Sequence, residues 1–347
     1  MNEVFSDMWA NHKTSILLGV SFILMLGSFW LLPQLAFVVF ISLLLHLLLC
    51  PMVDYLHRLR MIPRGLAAAI TLILFLVAIT VLFAVLSTPL ARSAQKFSQD
   101  LPALTESMRD LFAAYPVIAQ EVDKFWRELA SIGIDALRSS LDVLFSFFSK
   151  IFDVVIILFS AFYLLKDGRE IEGWITRLFP KKDHMRVFKL FDRILLSLHT
   201  YICSQIAICF LMGILVFFYF TARDIPYAVV FAVLSGVSEF IPVIGPTVAS
   251  LFGVSVAATI SPWTAVQTLF FYLLITQANH NVIYPTLIGK SLHLHPIAIL
   301  FGLLLGGCLL DAPGMFLAVP LMVIIRLVIE DIYRNANETE EFPPPAE

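Results

Sequence analysis

The sequence predicts an all-α, polytopic membrane protein, and three observations support this fold class. The chain has 347 residues, of which 59% are hydrophobic and 14% are charged, whereas a soluble domain is about 25% charged. Several runs without formal charge are long enough to cross a bilayer as helices. One apolar segment, residues 226–260, is interrupted by prolines and a glycine, which is typical of a broken helix that lines a cavity in a membrane protein.

The N-terminal apolar run predicts two spans joined by a tight turn. Residues 14–53 carry no formal charge, about twice the length that one helix needs, and Pro33 divides them into helices near 15–32 and 34–52. The basic segment that follows, residues 54–64, faces the cytoplasm by the positive-inside rule, and the N-terminus lies on the same side. A third span at about 65–90 then leads outward.

Residues 93–142 differ from their surroundings and predict an extramembrane helical insert of coiled-coil type. Their apolar positions recur in steps of four and three, which is the seam of helices that pack side by side. Pro102 and Pro116 interrupt this seam and favour bent or paired helices over one rod. The sequence leaves open whether the seam closes within one subunit or between subunits.

The remainder of the chain predicts a transmembrane core with both termini in the cytoplasm. The predicted organisation is transmembrane helices 1–3 over 1–92, the insert over 93–142, the core over 143–334 and a disordered tail over 335–347. Within the core we expect spans near 143–165, 195–221, 263–285, 296–310 and 315–330, a cytoplasmic amphipathic helix over 167–193 and a helical hairpin over 226–260. The amphipathic segment has the alternative of a solvated connector, and the hairpin that of two full spans.

The break in the hairpin is the first candidate site. Glu239 is the only formal charge between Asp224 and Lys290, and an ionisable group in hydrocarbon is costly unless it has a function. Pro242, Gly245 and Pro246 follow it and disrupt the helix. Broken helices with a nearby carboxylate form the central sites of many transporters. The alternative is a tight turn at the membrane surface, with Glu239 among the lipid head groups.

A second group of polar residues lies near the end of the sixth predicted span. Gln277 and Asn281 are four residues apart and therefore share a helix face. Such amides, with an imidazole beside them, can bind hydroxyls, carbonyls or a cation, or they can hold helices together in the membrane. The complete predicted substrate or ion pathway comprises Glu239, Pro242, Gly245, Pro246, Gln277, Asn279, His280, Asn281 and Pro285.

Other polar residues in apolar surroundings each have two interpretations. His46, His199 and Gln205 are either packed polar residues or members of a relay, and packing is favoured for His46. Asp311 precedes Pro313 and is favoured as a turn residue over a pathway residue.

Three sets of residues together resemble the autoinducer-2 exporter (AI-2E) family of bacterial membrane proteins. They match nearly the whole chain in order, most strongly after Asp224. The sets are Tyr163-Leu164-Leu165-Lys166-Asp167-Gly168; Glu239-Phe240-Ile241-Pro242-Val243-Ile244-Gly245-Pro246; and Asn281-Val282-Ile283-Tyr284-Pro285, continued by Leu292-His293-Leu294-His295-Pro296, Gly306-Gly307, Pro313-Gly314 and Ala318-Val319-Pro320.

The resemblance implies eight transmembrane helices, a location in the bacterial cytoplasmic membrane, and a homo-oligomer, specifically a pentamer. It also implies export of small molecules such as the quorum-sensing signal, while some relatives resemble sodium/proton antiporters. In the family's pattern, an acidic or small residue separates the glutamine at Gln277 from the Asn-Val-Ile-Pro element. Here Asn279 and His280 occupy those positions. One interpretation of this difference from the family's pattern is that the substrate has a different chemistry.

These observations lead to three functional hypotheses. The first is a secondary transporter that exports a small polar signal or metabolite; the second is a sodium(lithium)/proton antiporter that uses Glu239; the third is an oligomeric scaffold that does not transport. The sequence lacks a P-loop, an HExxH motif and a GxSxG motif, so we expect neither an enzyme nor a cofactor. The net charge of −3 and the absence of CxxC spacing argue against nucleic acid and a metal site as partners.

Overall fold

The computed structural model describes residues 2–58, 62–111, 124, 151–242, 244–288 and 294–340, and these residues form helices and turns without a strand. The predicted all-α class is therefore confirmed for this part of the chain. The α-helices are α1 (Asn2–Leu31), α2 (Pro33–Arg58), α3 (Arg64–Leu111), α4 (Ile151–Arg177), α5 (His184–Ala222), α6 (Ala228–Ser238), α7 (Ile244–Ala258), α8 (Pro262–Ala278), α9 (Tyr284–Ile288) and α10 (Pro296–Glu340).

Four helical segments of the described chain are long and apolar enough to cross a membrane, as expected for a polytopic protein. They are Pro33–Arg58, Arg64–Phe97, Lys181–Ala222 and Ile297–Asn335, and shorter apolar helices accompany them at Lys13–Ser28, Ala228–Ser238 and Ile244–Ala258. Large apolar side chains such as Phe218, which is 65% exposed, and Leu304, which is 64% exposed, cover their outer faces. Such surface is rare on soluble monomers and suits contact with lipid.

Prolines separate some of these helices but not all. Leu32 alone separates α1 from α2, so the helix boundary predicted at Pro33 is present. The Leu32 N–H still donates to the Ser28 carbonyl over 2.8 Å, so the boundary is a bend in the chain rather than a separate loop. The interruption expected at Pro102 is absent, because α3 continues through Pro89 and Pro102 as far as Leu111. A helix can continue past a proline by losing one hydrogen bond and bending. Of the predicted insert over 93–142, residues 112–123 and 125–142 lie outside the described residues.

Two segments near the helix ends differ from the predictions. The residues expected to form one amphipathic helix over 167–193 are instead divided, because Pro180 is extended (φ −57°, ψ 139°) between α4 and a 3₁₀ turn at Lys181–Asp183. At the C-terminus, α10 continues through residues 335–340, which the sequence suggested were disordered. No proline interrupts the chain until Pro343, and residues 341–347 lie outside the described part.

The long helix α10 contains a sharp break at its centre. Leu310 (φ −144°, ψ 19°) and Asp311 (φ 52°, ψ −138°) leave helical geometry, so the turn expected at 311–314 is confirmed, and Asp311 is one of its residues. A Cβ atom on Gly314 would lie 1.9 Å from the Gly306 carbonyl oxygen. The two halves of α10 therefore approach backbone to backbone, which only glycine permits at this position.

The chain forms two compact units. The first unit contains Met1–Ile73, Phe152–Cys203 and Lys290–Glu347, and in it α1, α2 and α10 pack on one another. The second unit contains Leu74–Ile151 and Ser204–Gly289, and in it α6 packs on α7 and α7 on α8. Buried aromatic residues fill the second unit's core: Phe97, Phe220, Tyr227, Phe231, Phe252 and Tyr272.

Small residues allow α6 to approach α5 closely in the second unit. A Cβ atom on Gly236 would lie 2.8 Å from the Cys209 carbonyl oxygen, and one on Gly213 would lie 3.0 Å from that of Ala232. Small residues at such crossings are a common way for helices to pack in membranes. This contact holds the first helix of the hairpin against α5 and so positions the hairpin's break.

Candidate functional site

The candidate site forms where the hairpin α6–α7 breaks. Helix α6 ends at Ser238, Glu239 and Phe240 form a turn, and α7 begins at Ile244. Pro242 cannot donate a backbone hydrogen bond, which favours the break. Pro246 lies in the first turn of α7, where a missing N–H costs nothing because that position has no helical acceptor. The break predicted from this sequence is therefore present.

Gly245 is required by the close return of the chain. A Cβ atom at this position would lie 1.8 Å from the Ser238 carbonyl oxygen and 3.0 Å from the Ser238 Cα atom. The Gly245 N–H also donates to the Ile241 carbonyl over 3.0 Å. Any larger residue would push the start of α7 away from the end of α6 and displace Glu239 between them.

Glu239 is buried and contacts a neighbouring helix through its carboxylate. The residue is 4% exposed, and Asn279 Nδ2 donates to its Oε2 atom over 3.2 Å. None of the ion pairs among the described residues includes Glu239. The partner of this buried carboxylate is an amide and not a cation. The carboxylate can therefore still accept a proton or a positively charged ligand.

Gln205 of α5 fixes the backbone of the same turn. Its side chain is fully buried, and its Nε2 atom donates to the Glu239 carbonyl oxygen over 2.8 Å. Its Oε1 atom accepts from the Tyr284 hydroxyl over 3.1 Å. Gln205 therefore links the hairpin break to the segment that follows α8. The sequence left Gln205 as either a packed polar residue or a member of a relay, because its partners lie 34 and 79 residues away.

A π-helical turn, Asn279–Ile283, joins α8 to α9 and carries Asn279. The Tyr284 N–H donates to the Asn279 carbonyl, five residues earlier. Pro285 has no N–H to offer the Asn281 carbonyl and its ring would crowd that group in an α-helix, so the wider turn accommodates it. Single π-turns of this kind occur frequently at functional sites.

The π-turn divides the polar residues that the sequence grouped together. Asn279 is 2% exposed and faces Glu239, whereas Gln277, His280 and Asn281 lie on the exposed surface of the unit. Gln277 and Asn281 do share a face, as expected, and Asn281 donates to Gln277 over 3.0 Å. The His280 ring stacks on that of Tyr284 at 6.1 Å. Pro285 is also exposed, so its contribution is to the backbone.

One atom beside Glu239 is buried and unpaired. Asn279 Oδ1 has no hydrogen-bond partner among the described residues. An unsatisfied buried acceptor costs about 1–3 kcal/mol, so it is unusual in a packed interior. Together with the Glu239 carboxylate it presents oxygen atoms that can receive a hydroxyl group, a proton or a small cation.

Comparison with known proteins gives matches that contain this site. A family model described as AI-2E family transporter matches residues 20–334. The protein named "Putative transport protein YrrI" of Bacillus subtilis is 24% identical over 344 residues, which cover 95% of this chain and 97% of that protein. The protein named "AI-2 transport protein TqsA" of Escherichia coli is 24% identical over 326 residues, which cover 92% of each chain.

Proposed function

The chain belongs to the AI-2E transporter family, and on that premise we propose that it is a secondary transporter that exports a small polar molecule across the bacterial cytoplasmic membrane. The name of one relative, which is 24% identical, specifies AI-2 transport, and this supports an autoinducer-2-like signal or metabolite as the substrate. Energy comes from an ion gradient or from the gradient of the substrate itself.

The contact between Glu239 and Asn279 carries this proposal. Both side chains are buried, they lie where a helix is broken, and one amide oxygen beside the carboxylate is unpaired. In a membrane, irregular backbone is tolerated where protein buries it or where it lines a cavity. A carboxylate and an amide at such a break can bind the hydroxyl groups of a polar solute, and the carboxylate can exchange a proton against it.

The proposal includes a topology and an assembly. We place eight spans in the membrane, with hairpin 226–260 entering from the outside, the insert 93–142 outside the membrane, and both termini in the cytoplasm. The charge pattern supports this orientation, since basic residues cluster at 54–64 and 166–193. The family resemblance supports a homo-oligomer, and we propose a pentamer.

Cation/proton antiport is the second candidate function. The unpaired Asn279 Oδ1 atom beside the Glu239 carboxylate favours it, because small alkali cations are held by oxygen ligands of these types. In this mechanism Glu239 binds either a proton or Na⁺ or Li⁺, and the two occupants exchange. Sodium and lithium would then be the substrates of the protein, with Glu239 as their common site.

Transport by inside-out membrane vesicles tests the exporter hypothesis. Labelled autoinducer-2 should accumulate in vesicles that contain the wild-type protein, and Glu239→Gln should reduce the initial rate at least tenfold at equal protein content. Glu170→Gln is the matched control, because Glu170 is an exposed carboxylate outside the site. Undiminished uptake by Glu239→Gln would remove Glu239 from the mechanism.

Proteoliposomes with a pH-sensitive dye inside test the antiport hypothesis separately. Na⁺, Li⁺ and K⁺ are added in turn to wild-type protein and to the same two variants. Proton movement that depends on Na⁺ or Li⁺ and disappears in Glu239→Gln alone would establish antiport. If none of the three cations causes proton movement in liposomes that do transport autoinducer-2, antiport is rejected and export is the function that stands.

A further inference from the structure

A cavity in the first unit has a composition that the proposed transport site does not explain. Helices α2, α4 and α5 surround about 650 Å³ of space, which lies within the range of roughly 300–1,000 Å³ typical of small-molecule sites. Its walls include three arginines, three carboxylates and two histidines. A cavity of this size with both charges at its walls suits a small ligand that itself carries both charges.

His46 supplies a buried polar atom at the cavity wall. The residue is 9% exposed, and its Nδ1 atom has no hydrogen-bond partner among the described residues. The ring edge formed by Cε1 and Nε2 lies against Gly168, where a Cβ atom would be 3.3 Å from His46 Cε1. Packing against this glycine fixes the position of the imidazole, and the buried Nδ1 atom would gain a hydrogen-bond partner if a ligand bound beside it.

One pair of opposite charges in the cavity is already satisfied. Arg64 donates from Nε to the Leu165 carbonyl over 2.9 Å and pairs through Nη2 with Asp54 Oδ1 at 3.4 Å. These contacts join the start of α3 to α2 and α4. Arg64 and Asp54 are therefore structural, and the charges that remain available to a ligand are others.

Four charged side chains at the cavity form no ion pair within 4 Å in the described part of the chain. They are two cations, Arg58 and Arg169, and two anions, Glu172 and Asp192. Partial burial raises the pKa of Glu172, the negative charge of Asp192 raises it further, and Arg169 opposes both. Both carboxylates line the same cavity, so a cationic group between them would relieve the repulsion of their negative charges.

We propose that this cavity binds a small zwitterion, whose ammonium group lies between Glu172 and Asp192 and whose phosphate or carboxylate pairs with Arg169 and hydrogen-bonds to His46. Arg169 precedes Glu172 by three residues on α4, so the two side chains point to the same side of the helix. Opposite charges on one side of a single helix suit a ligand that carries an ammonium group at one end and an oxyanion at the other. The guanidinium group suits an oxyanion because it can donate two parallel hydrogen bonds.

Calorimetry with the full-length protein in detergent tests this proposal, with phosphoethanolamine as the probe. Phosphoethanolamine should bind and raise the midpoint of thermal unfolding, whereas ethanolamine alone and inorganic phosphate alone should bind at least tenfold more weakly. Equal binding of either half-molecule, or no binding of phosphoethanolamine, would overturn the proposal.

Three variants and one control locate the binding site. Arg169→Gln, Glu172→Gln and His46→Phe should each weaken phosphoethanolamine binding at least tenfold, and the phenyl ring preserves the packing against Gly168. Arg177→Gln is the control, because Arg177 lies on the same helix and does not line the cavity. Unchanged affinity in Arg169→Gln or Glu172→Gln, with the protein folded, would refute the assignment.

Nanodiscs distinguish two sources of the same chemistry. A phosphatidylethanolamine head group that occupies the cavity should block binding of free phosphoethanolamine in nanodiscs of that lipid but not in nanodiscs of phosphatidylglycerol. A free solute as the natural ligand predicts equal binding in both. Either result supports a zwitterion site and identifies its source, whereas absence of binding in both lipids contradicts it.

Discussion

Asn279 donates a hydrogen bond of 3.2 Å to the carboxylate of Glu239, 40 residues earlier in the chain, and both side chains are buried. This contact connects the break in hairpin α6–α7 with the π-turn after α8. Two irregular elements therefore meet at one carboxylate, which is why we place the transport chemistry there.

Removal of the Asn279 amide should affect both stability and transport. Asn279→Ala leaves the Glu239 carboxylate buried without its hydrogen-bond donor. We expect this to lower the free energy of unfolding by about 1–3 kcal/mol and to reduce the initial transport rate at least tenfold. The matched control is Asn281→Ala, since Asn281 bonds to Gln277 on the exposed surface. Denaturant titration in detergent and vesicle uptake provide the two measurements. Equal effects of both substitutions would contradict a special role for Asn279.

Local chemistry explains which parts of this site the sequence could predict. Two prolines and a glycine within five residues, Pro242, Gly245 and Pro246, strongly disfavour a continuous helix, so the break beside Glu239 was predictable. The same reasoning places Gln277 and Asn281 on one face, which the structure confirms.

The inward direction of Asn279 depends on information that helical spacing does not contain. A regular α-helix gives the relative positions of residues 277–281 but not the face that packs inward, and the π-turn changes the register within this segment. The role of Gln205 depends on partners 34 and 79 residues away, so only the tertiary structure reveals it. At Pro102 the helix continued, because a proline weakens a helix without always ending it.

Replacement of Pro285 tests whether the π-turn matters for transport. Pro285→Ala restores an N–H that can reach the Asn281 carbonyl, so we expect the π-turn to shift toward α-helix and Asn279 to rotate away from Glu239. Transport should fall at least fivefold. Thermal stability should change little, because relief of the proline's cost, up to about 3 kcal/mol, offsets the loss of the Asn279–Glu239 hydrogen bond.

Pro89→Ala is the control for that experiment. Pro89 also lies inside a helix, α3, but it is not next to a π-turn. We expect its replacement to raise stability and to leave transport unchanged. A loss of transport in Pro89→Ala, or normal transport in Pro285→Ala, would show that transport does not depend specifically on the π-turn.

The return of the chain at Gly245 should tolerate no side chain. A Cβ atom there would lie 1.8 Å from the Ser238 carbonyl oxygen, and overpacking of this kind costs about 1–3 kcal/mol or more. Gly245→Ala should therefore lower the free energy of unfolding and abolish transport. Gly27→Ala is the control, because nothing lies within 4 Å of its Cβ position. In α1 the added methyl group should stabilise the helix by about 0.5–1 kcal/mol. Thermal unfolding curves that show the same sign for both variants would refute the steric argument.

The first unit contains a buried ion pair whose contribution to stability can be compared with that of a more exposed ion pair beside it. Arg186 donates from Nε to Asp331 Oδ2 over 2.8 Å and approaches the same oxygen through Nη2 at 2.7 Å, and the Asp331 side chain is 3% exposed. The adjacent pair of Arg193 and Glu330 is longer, at 3.9 Å, and half of the Glu330 side chain is exposed.

We expect Asp331→Asn to destabilise the protein far more than Glu330→Gln. The first substitution leaves the Arg186 guanidinium partly buried without its countercharge, which costs about 3–5 kcal/mol, whereas an exposed pair contributes about 0–1 kcal/mol. Denaturant titration in detergent at low and at 1 M salt measures both effects. Salt should remove the small effect of Glu330→Gln and leave most of the effect of Asp331→Asn, because a buried pair is weakly screened. Similar losses for the two variants would mean that water reaches the Arg186–Asp331 pair.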